Sequence, residues 1–278
     1  MRREYRQTPP KLIRYTVKTN KLPEKRALRL AVVSDLHGAI YGKDQHILAE
    51  RILSCAPDIV LMPGDIVESA AWLPGFYQLV KRLRGIPMLM TTGNHEMRLK
   101  ERDEIKKALI GMGVRVLSGR HILYPFGKRQ IVFYGIDDIQ HMSETWTESM
   151  GGFFVPGKDQ TELEQRVQRQ LGMLLPCDPG KFNVLIVHRP EHMALYADAG
   201  FDLVIAGHAH GGQWRLPGLI NGFYAPNQGA FPRFAGGRYE DGSCTMIVGR
   251  GLSNHTVIPR LFNPVEVPVI DLMGTLPE

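Results

Sequence analysis

The chain has 278 residues, 44% of them hydrophobic and 22% charged, a balance ordinary for a folded, water-soluble protein. Its three cysteines are scattered and odd in number, which excludes a disulfide framework and a paired-cysteine metal site. No apolar stretch approaches the roughly 20 residues of a membrane-spanning helix, and the N-terminus lacks the apolar core of a signal peptide. We therefore expect a protein that is cytoplasmic or peripherally associated with a membrane.

The net charge of +6 is concentrated near the N-terminus. Residues 1–30 contain ten Lys or Arg and two Glu, a balance of +8, which leaves −2 for the rest of the chain. A basic arm of this kind attracts anionic lipid headgroups at roughly 1 kcal/mol per basic residue. A solvated strand without a partner is an equal alternative. Nucleic acid is disfavoured as a partner, because the remainder adds no basic excess.

Apolar runs alternate between strand and helix patterns along most of the chain. Short Val/Ile/Leu-rich runs predict buried strands, and apolar residues at helical spacing predict helices between them. The predicted elements are, in chain order, strands at 15–18 and 28–33, a helix at 43–54, a strand at 59–62, a helix at 71–84, a strand at 87–90, a helix at 101–111, a strand at 114–117, a β-hairpin at 121–136, a helix at 159–174, a strand at 183–187, a helix at 191–199, and strands at 202–206, 245–248 and 265–270.

This order predicts an α/β fold with at least one largely parallel sheet, built as a single domain. The basic arm and edge strand at 1–30 are expected to be part of the same domain as residues 28–278. The least regular pattern lies at 140–158. There His141 belongs to a loop that could roof a site, and Trp146, Phe153 and Phe154 either line a substrate groove or only anchor the loop.

Five predicted strands end in side chains that can bind a metal ion. These side chains are Asp35 with His37, Asp65, Asn94, His188, and His208 with His210. Ligands of open α/β sheets bind beyond the carboxyl ends of the strands, so we expect the five strand ends to converge on one edge of the sheet. Turn or capping roles explain Asp35 or Asn94 alone, but they do not explain the whole set.

Carboxylate, amide and imidazole donors without a thiolate suit manganese, iron or zinc, and we favour manganese. Seven ligands exceed what one catalytic ion uses, because such an ion keeps an open position. Two divalent ions that share one carboxylate account for the number. Paired ions lower the pKa of a bound water and clamp the attacking and leaving oxygens of an in-line displacement, which is the chemistry of phosphoester hydrolysis.

The ordered motif set resembles that of the calcineurin-like metallophosphoesterases: Asp35-Leu-His37, Gly64-Asp65, Gly93-Asn94-His95-Glu96, His188 and Gly207-His208-Ala-His210. The resemblance implies a four-layer αββα fold, in which two β-sheets pack face to face and helices flank them. Segments at 224–229, 250–252 and 260–264 also resemble a bacterial branch of the family that is tied to membranes or envelopes.

The resemblance also implies a role for each motif residue. One ion would be bound by Asp35, His37 and His210, the other by Asn94, His188 and His208, with Asp65 bridging the two. His95 would not bind metal but would stabilise or protonate the leaving oxygen, a general-acid role. Arg189 and Gln213 flank predicted ligands and are candidates for contact with the phosphate.

One motif departs from the pattern of the protein Ser/Thr phosphatases in this superfamily. They carry Gly-Asp-x-x-Asp-Arg-Gly, whereas this chain has Gly64-Asp65-Ile-Val-Glu68-Ser69-Ala70. The arginine that would grip a phosphomonoester dianion is absent, which disfavours protein phosphatase activity. Glu68 stands where the carboxylate that orients the catalytic histidine would lie, so we predict that Glu68 supports His95.

The sequence thus predicts a hydrolase of phosphodiester or pyrophosphate bonds, in which a metal-bridging hydroxide attacks phosphorus. The basic arm and the branch resemblance favour an envelope or lipid-linked substrate. Two alternatives stay open. A non-catalytic metal-binding scaffold on the same fold usually loses ligands or the catalytic histidine, and all are present here. A nuclease would bind nucleic acid in a salt-sensitive manner.

Overall fold

The computed structural model describes residues 5–23, 27–139, 159–254 and 259–275. In these ranges the strands are, in chain order, β1 Tyr5–Arg6, β2 Lys11–Thr19, β3 Ala27–Val32, β4 Ile40–Tyr41, β5 Ile59–Met62, β6 Met88–Met90, β7 Arg115–Val116, β8 Arg120–Phe126, β9 Arg129–Gly135, β10 Phe182–Ile186, β11 Leu203–Ala206, β12 Tyr224–Ala225, β13 Gly229–Ala230, β14 Gly237–Asp241, β15 Cys244–Val248 and β16 Glu266–Gly274.

The α-helices of the same ranges are α1 His46–Leu53, α2 Leu73–Arg82, α3 Asn94–Arg98, α4 Arg102–Gly111, α5 Asp159–Gly172 and α6 Met193–Asp198. Short 3-10 helices cover Lys43–Gln45, Ala70–Trp72 and His210–Gly212. None of the helices described is both long and apolar enough to cross a bilayer. The predicted loop at 140–158, with His141, Trp146, Phe153 and Phe154, lies outside the described residues, as do residues 1–4 and 24–26 of the basic arm.

Two six-stranded sheets form the centre of the fold. The first sheet has the order β2-β16-β3-β5-β6-β7, and the second has the order β14-β15-β11-β10-β9-β8. The strands from β3 to β7 in the first sheet run parallel to one another, as do β9, β10, β11 and β15 in the second. The carboxyl ends of these parallel strands therefore supply two rows of loops.

Alternating side chains on the strands build three apolar layers. On β5, Ile59 and Leu61 face the second sheet, whereas Val60 and Met62 face the helices on the other side. The layer between the sheets also contains residues of β9, β10 and β11. Helices α1, α2 and α4 cover the outer face of the first sheet, and α5 and α6 cover that of the second. The predicted four-layer αββα arrangement of two sheets flanked by helices is confirmed.

The site-bearing strands come from both sheets, which corrects one expectation. The prediction that five strand ends converge on one sheet edge is wrong, because β3, β5 and β6 belong to the first sheet and β10 and β11 to the second. The two rows of loops meet across the interface between the sheets, so ligands still converge. The sequence also missed β14, whose residues Gly237–Asp241 include no apolar run.

Truncation of a side chain between the sheets should destabilise the protein. Leu61 is fully buried there, and removing its isobutyl group loses apolar burial and leaves a cavity. We expect Leu61→Ala to cost about 2–5 kcal/mol of unfolding free energy, measured by urea denaturation. The control is Leu123→Ala on β8, a half-exposed leucine, for which the change should stay within about 0.5 kcal/mol. Equal losses in both variants would contradict the proposed core.

Candidate metal centre

Five of the seven predicted ligands lie in the left-handed region of backbone conformation. Their φ angles are 48° for Asp35, 47° for His37, 54° for Asp65, 67° for His208 and 48° for His210. Such angles cost about 1–3 kcal/mol each in residues other than glycine, and they persist only where neighbouring structure imposes them. Here the two loops of the first sheet bind each other, since the N–H of Asp35 donates to Gly64 O and that of His37 to Asp65 O.

The first cluster of donor atoms is formed by Asp35, His37 and His210, all buried. The Nε2 atoms of His37 and His210 lie 3.3 Å apart, and His210 Nε2 is 3.7 Å from Asp35 Oδ1. Asp35 Oδ2 is buried without a hydrogen-bond partner among the described residues. An unpartnered carboxylate oxygen beside two facing ring nitrogens is an arrangement that a bound cation would satisfy.

The second cluster surrounds His188 Nε2. This atom lies 3.0 Å from His208 Nδ1 and 3.1 Å from both Asn94 Oδ1 and Asp65 Oδ2. The other ring nitrogen, His188 Nδ1, donates to the carbonyl of Pro63 at 2.8 Å, which fixes the orientation of the ring. Carbonyl partners on the outer nitrogen are typical of histidines that bind metals.

The carboxylate of Asp65 stands between the two clusters. Its Oδ2 lies 3.1 Å from His188 Nε2 in the second cluster and 3.8 Å from His37 Nε2 in the first. Its Oδ1 accepts the backbone N–H of His95 at 2.9 Å, so the carboxylate cannot rotate freely. One oxygen therefore faces donor atoms of both clusters, which fits a carboxylate shared by two ions.

Burial and charge prepare these groups for a cation. Burial lowers the pKa of His37 and His210, and it lowers that of His208 to about 4, so these three imidazoles are neutral near pH 7. Burial alone would raise the pKa of Asp65, but the charge of His188 and the other histidines holds it well below its usual range. Burial would lower the pKa of His188, but the charge of Asp65 raises it to about 10. Asp65 is thus an anion beside a protonated His188, whereas His37, His208 and His210 are already in the neutral state in which imidazoles bind metal.

His95 differs from the ligand candidates because its side chain is 25% exposed. Its Nδ1 lies 2.8 Å from Glu68 Oε1, and its Nε2 lies 3.9 Å from Asp65 Oδ2. Burial would lower the pKa of His95, but the charges of Asp65 and Glu68 outweigh burial and raise it. Glu68 Oε1 is also 2.5 Å from His37 Nδ1, a second contact that the sequence did not predict.

Two residues near the clusters were given no role from the sequence. Glu96 accepts the backbone N–H groups of Asp65, Ile66, Val67 and Gly93, and it thereby ties the loop after β5 to the start of α3. Its spacing of three residues from Gly93 is the sequence signal of an N-terminal helix cap. Asn227 Oδ1 lies 2.9 Å from His208 Nε2. Asn227 lies in the segment 224–229 that resembles the bacterial branch, but it follows no apolar strand and was therefore not predicted to contact the site.

The two candidates for phosphate contact are buried. Arg189 donates from Nε and Nη2 to the two carboxylate oxygens of Asp138, at 2.7 and 3.2 Å, and lies 3.4 Å from Glu191. This bidentate pair holds Arg189 inside the protein. The backbone carbonyl of Gln213 accepts from Asn263 Nδ2 and from the N–H of Leu261, both at 3.2 Å. Contact of either side chain with a phosphate stays a prediction.

A methyl group at Gly93 should disturb the shared carboxylate. A Cβ placed there would fall far inside van der Waals distance of Asp65 Oδ1 and N. We expect Gly93→Ala to weaken Mn²⁺ binding about tenfold or more, measured by calorimetric titration, because loss of a supporting contact typically costs 10–100-fold in affinity. Gly172→Ala is the control, since open space surrounds that position. Unchanged affinity in Gly93→Ala would contradict the position given to Asp65.

Comparison with known proteins shows the family of the chain. The chain is 26% identical over 271 residues to an uncharacterized metallophosphoesterase of Aquifex aeolicus, covering 94% of this chain and 91% of that protein. It is 23% identical over 273 residues to the metallophosphoesterase YkuE of Bacillus subtilis, covering 94% and 85%. Among solved structures, the phosphopantetheinyl hydrolase PptH of Mycobacterium tuberculosis superposes with a TM-score of 0.47 at 13% identity, covering 83% of this chain and 89% of that one. The sequence pattern of the calcineurin-like phosphoesterases matches residues 28–212, and the chain belongs to that family.

Proposed function

We propose that the protein is a dinuclear-metal phosphohydrolase that cleaves phosphodiester or pyrophosphate bonds. A metal-dependent phosphoesterase is the activity that the family indicates. The observation that supports two ions is the position of Asp65, whose Oδ2 faces donor atoms of both clusters. One ion would be held by Asp35, His37 and His210, and the other would be held by Asn94, His188 and His208. Oxygen and imidazole donors without thiolate favour manganese, with zinc or iron as alternatives.

When bound, such ions supply a hydroxide near neutral pH and neutralise charge on the phosphate oxygens. The residues of the chain keep this centre in one geometry. Asp65 is held by the N–H of His95, His188 by the carbonyl of Pro63, and His208 by Asn227. Supports of this kind keep ligands at fixed positions before substrate arrives, so little reorganisation accompanies the reaction.

His95 is suited to protonate the leaving oxygen. Its side chain is more exposed than those of the ligand candidates, and Glu68 Oε1 at 2.8 Å accepts the N–H of Nδ1, which leaves Nε2 on the side of the metal centre, 3.9 Å from Asp65 Oδ2. The raised pKa of His95 keeps its proton available near neutral pH. Because a general acid works best when its pKa lies near the operating pH, this environment favours proton donation to an alkoxide or phosphate leaving group.

Phosphodiesters and pyrophosphates fit the loop after β5 better than phosphomonoesters do. The positions after Glu68 are Ser69 and Ala70, where the protein phosphatases of the superfamily carry an arginine for the monoester dianion. A diester places one negative charge on the phosphate and needs no such clamp. The basic N-terminal arm, with a balance of +8 over residues 1–30, supports peripheral contact with an anionic membrane and thus an envelope or lipid-linked substrate.

The activity is tested with bis-p-nitrophenyl phosphate and a soluble pyrophosphate, with and without added Mn²⁺. We expect turnover that requires the metal. His95→Ala should lower kcat about 10²–10⁴-fold while keeping Mn²⁺ bound, because it removes only the proton donor. Asp65→Asn should lose both turnover and the second equivalent of metal. The matched control is His121→Ala, an exposed histidine on β8. Bound metal without turnover of any substrate would instead favour the scaffold alternative.

The role of Glu68 is tested by the pH profile of Glu68→Gln at saturating Mn²⁺. Loss of the carboxylate removes an interaction that raises the pKa of His95. His95 should then lose its proton at lower pH, so the alkaline limb of kcat should move to lower pH and kcat should fall about tenfold. Glu104→Gln, on the exposed side of α4, is the control. An unmoved alkaline limb would contradict the pairing of Glu68 with His95.

A further inference from the structure

Large apolar side chains are exposed on one surface beside the metal centre. We call this surface the apolar rim, and its residues are Trp214, Leu216, Leu219, Phe223, Phe231, Leu261 and Phe262. Leu219 is 81% exposed, Phe231 64% and Phe262 62%. Three of the aromatic rings lie close together: the ring centroids of Trp214 and Phe223 are 5.8 Å apart, and those of Phe223 and Phe231 are 5.3 Å apart. Contiguous patches of this kind mark interaction surfaces.

The apolar rim is joined directly to the loop that carries His208 and His210. Trp214 follows Gln213 in the chain, and the backbone at Trp214 pairs with that at Leu261. The next segment returns to the metal centre, since Asn227 contacts His208 at 2.9 Å. On the other side, Arg260, adjacent to Leu261, lies 3.4 Å from His210 Nδ1. A surface bound to the apolar rim would therefore lie next to the opening of the metal centre.

Two of the exposed phenylalanines have strained backbones. Phe231 has φ 54° and Phe262 has φ 51°, in the left-handed region where bulky residues are rare. Glycine or asparagine would fit these positions at lower conformational cost. Since both rings are mostly exposed, burial in the free protein does not offset that cost. Strained positions of this kind cluster at functional sites, which is consistent with rings that bind an external partner.

The charge of the segments that form the apolar rim is entirely positive. From residue 203 to 239, and again from 242 to 265, the sequence contains no Asp or Glu, whereas it contains five arginines. Two of these, Arg215 and Arg260, adjoin rim residues in the chain, and Arg233 is two residues from Phe231. Aromatic and leucine side chains together with arginines, in the absence of carboxylates, are the composition of surfaces that insert into the headgroup region of anionic bilayers.

We propose that the apolar rim docks on the surface of an anionic lipid bilayer and holds the opening of the metal centre against the headgroups. An anionic bilayer is one partner that can bury the exposed leucine and phenylalanine side chains and also attract the arginines. A protein partner or a second copy would require a complementary acidic surface, which these segments do not supply to one another. Hydrolysis of a lipid headgroup by the docked protein rests on the proposed function, whereas the docking itself does not.

Docking is tested by co-flotation of the purified full chain, without added substrate, with vesicles of phosphatidylcholine alone or mixed with phosphatidylglycerol. We expect strong binding to the mixed vesicles and weak binding to vesicles of phosphatidylcholine alone. Arg233→Gln should lower the affinity for the mixed vesicles roughly fivefold. The double variant Phe231→Asn/Phe262→Asn should bind about tenfold or more weakly. Because asparagine tolerates the left-handed conformation, its melting temperature should equal or exceed that of the unchanged protein. Met173→Asn, at another highly exposed apolar residue, is the control.

The outcomes separate docking from catalysis. Loss of vesicle binding in the folded double variant, with turnover of bis-p-nitrophenyl phosphate unchanged, would support the proposal, since no rim residue belongs to the catalytic machinery. Failure of the unchanged protein to bind mixed vesicles would overturn it, as would equal binding by the double variant. A dimer in solution that dissociates in the double variant would also overturn it, because the rim would then join two copies. Vesicle binding by a protein without turnover would refute only the proposed function.

Discussion

The carboxylate of Asp65 is the interaction on which the site depends. Its Oδ2 faces His37 in one cluster and His188 in the other, and its Oδ1 is held by the N–H of His95. Those three histidines follow β3, β6 and β10 in the chain, so one side chain on the loop after β5 contacts segments from both sheets. The position of each cluster relative to the other is therefore set by a single charged group in a buried environment, where electrostatic interactions are strong.

The packing of the two sheets makes that arrangement possible. Each sheet alone supplies only part of the donor set, and the apolar layer between the sheets brings the carboxyl ends of their parallel strands together. Left-handed backbone angles at five candidate ligands cost about 1–3 kcal/mol each. The packing of the two sheets offsets that conformational cost. The apolar core between the sheets thus supplies the stability that keeps the strained, ligand-bearing loops in one conformation.

Much of this site could be predicted from the sequence, because the ligand types follow apolar runs one after another. The predicted strands at 59–62 and 202–206, for example, match β5 and β11 to within one residue, and Asp65 and His208 follow them closely in the chain. The division of the strands between two sheets could not be predicted, since periodicity records burial and not which strands pair. Asn227 and the contact of Glu68 with His37 were also missed, because both depend on loops whose paths are set only by tertiary packing.

The order of the first sheet has a consequence for how the protein forms during translation. β16, residues Glu266–Gly274, lies between β2 and β3 and pairs with both. While a ribosome is still making the chain, β2 and β3 lack the neighbour that joins them, and β3, which leads into the loop with Asp35 and His37, is paired on one side only. The first sheet is completed only when β16 emerges, so its closure depends on contacts between distant parts of the chain, which form slowly. A nascent chain consequently exposes unpaired edges of β2 and β3 until β16 has been made, the situation in which chaperones protect a protein from aggregation.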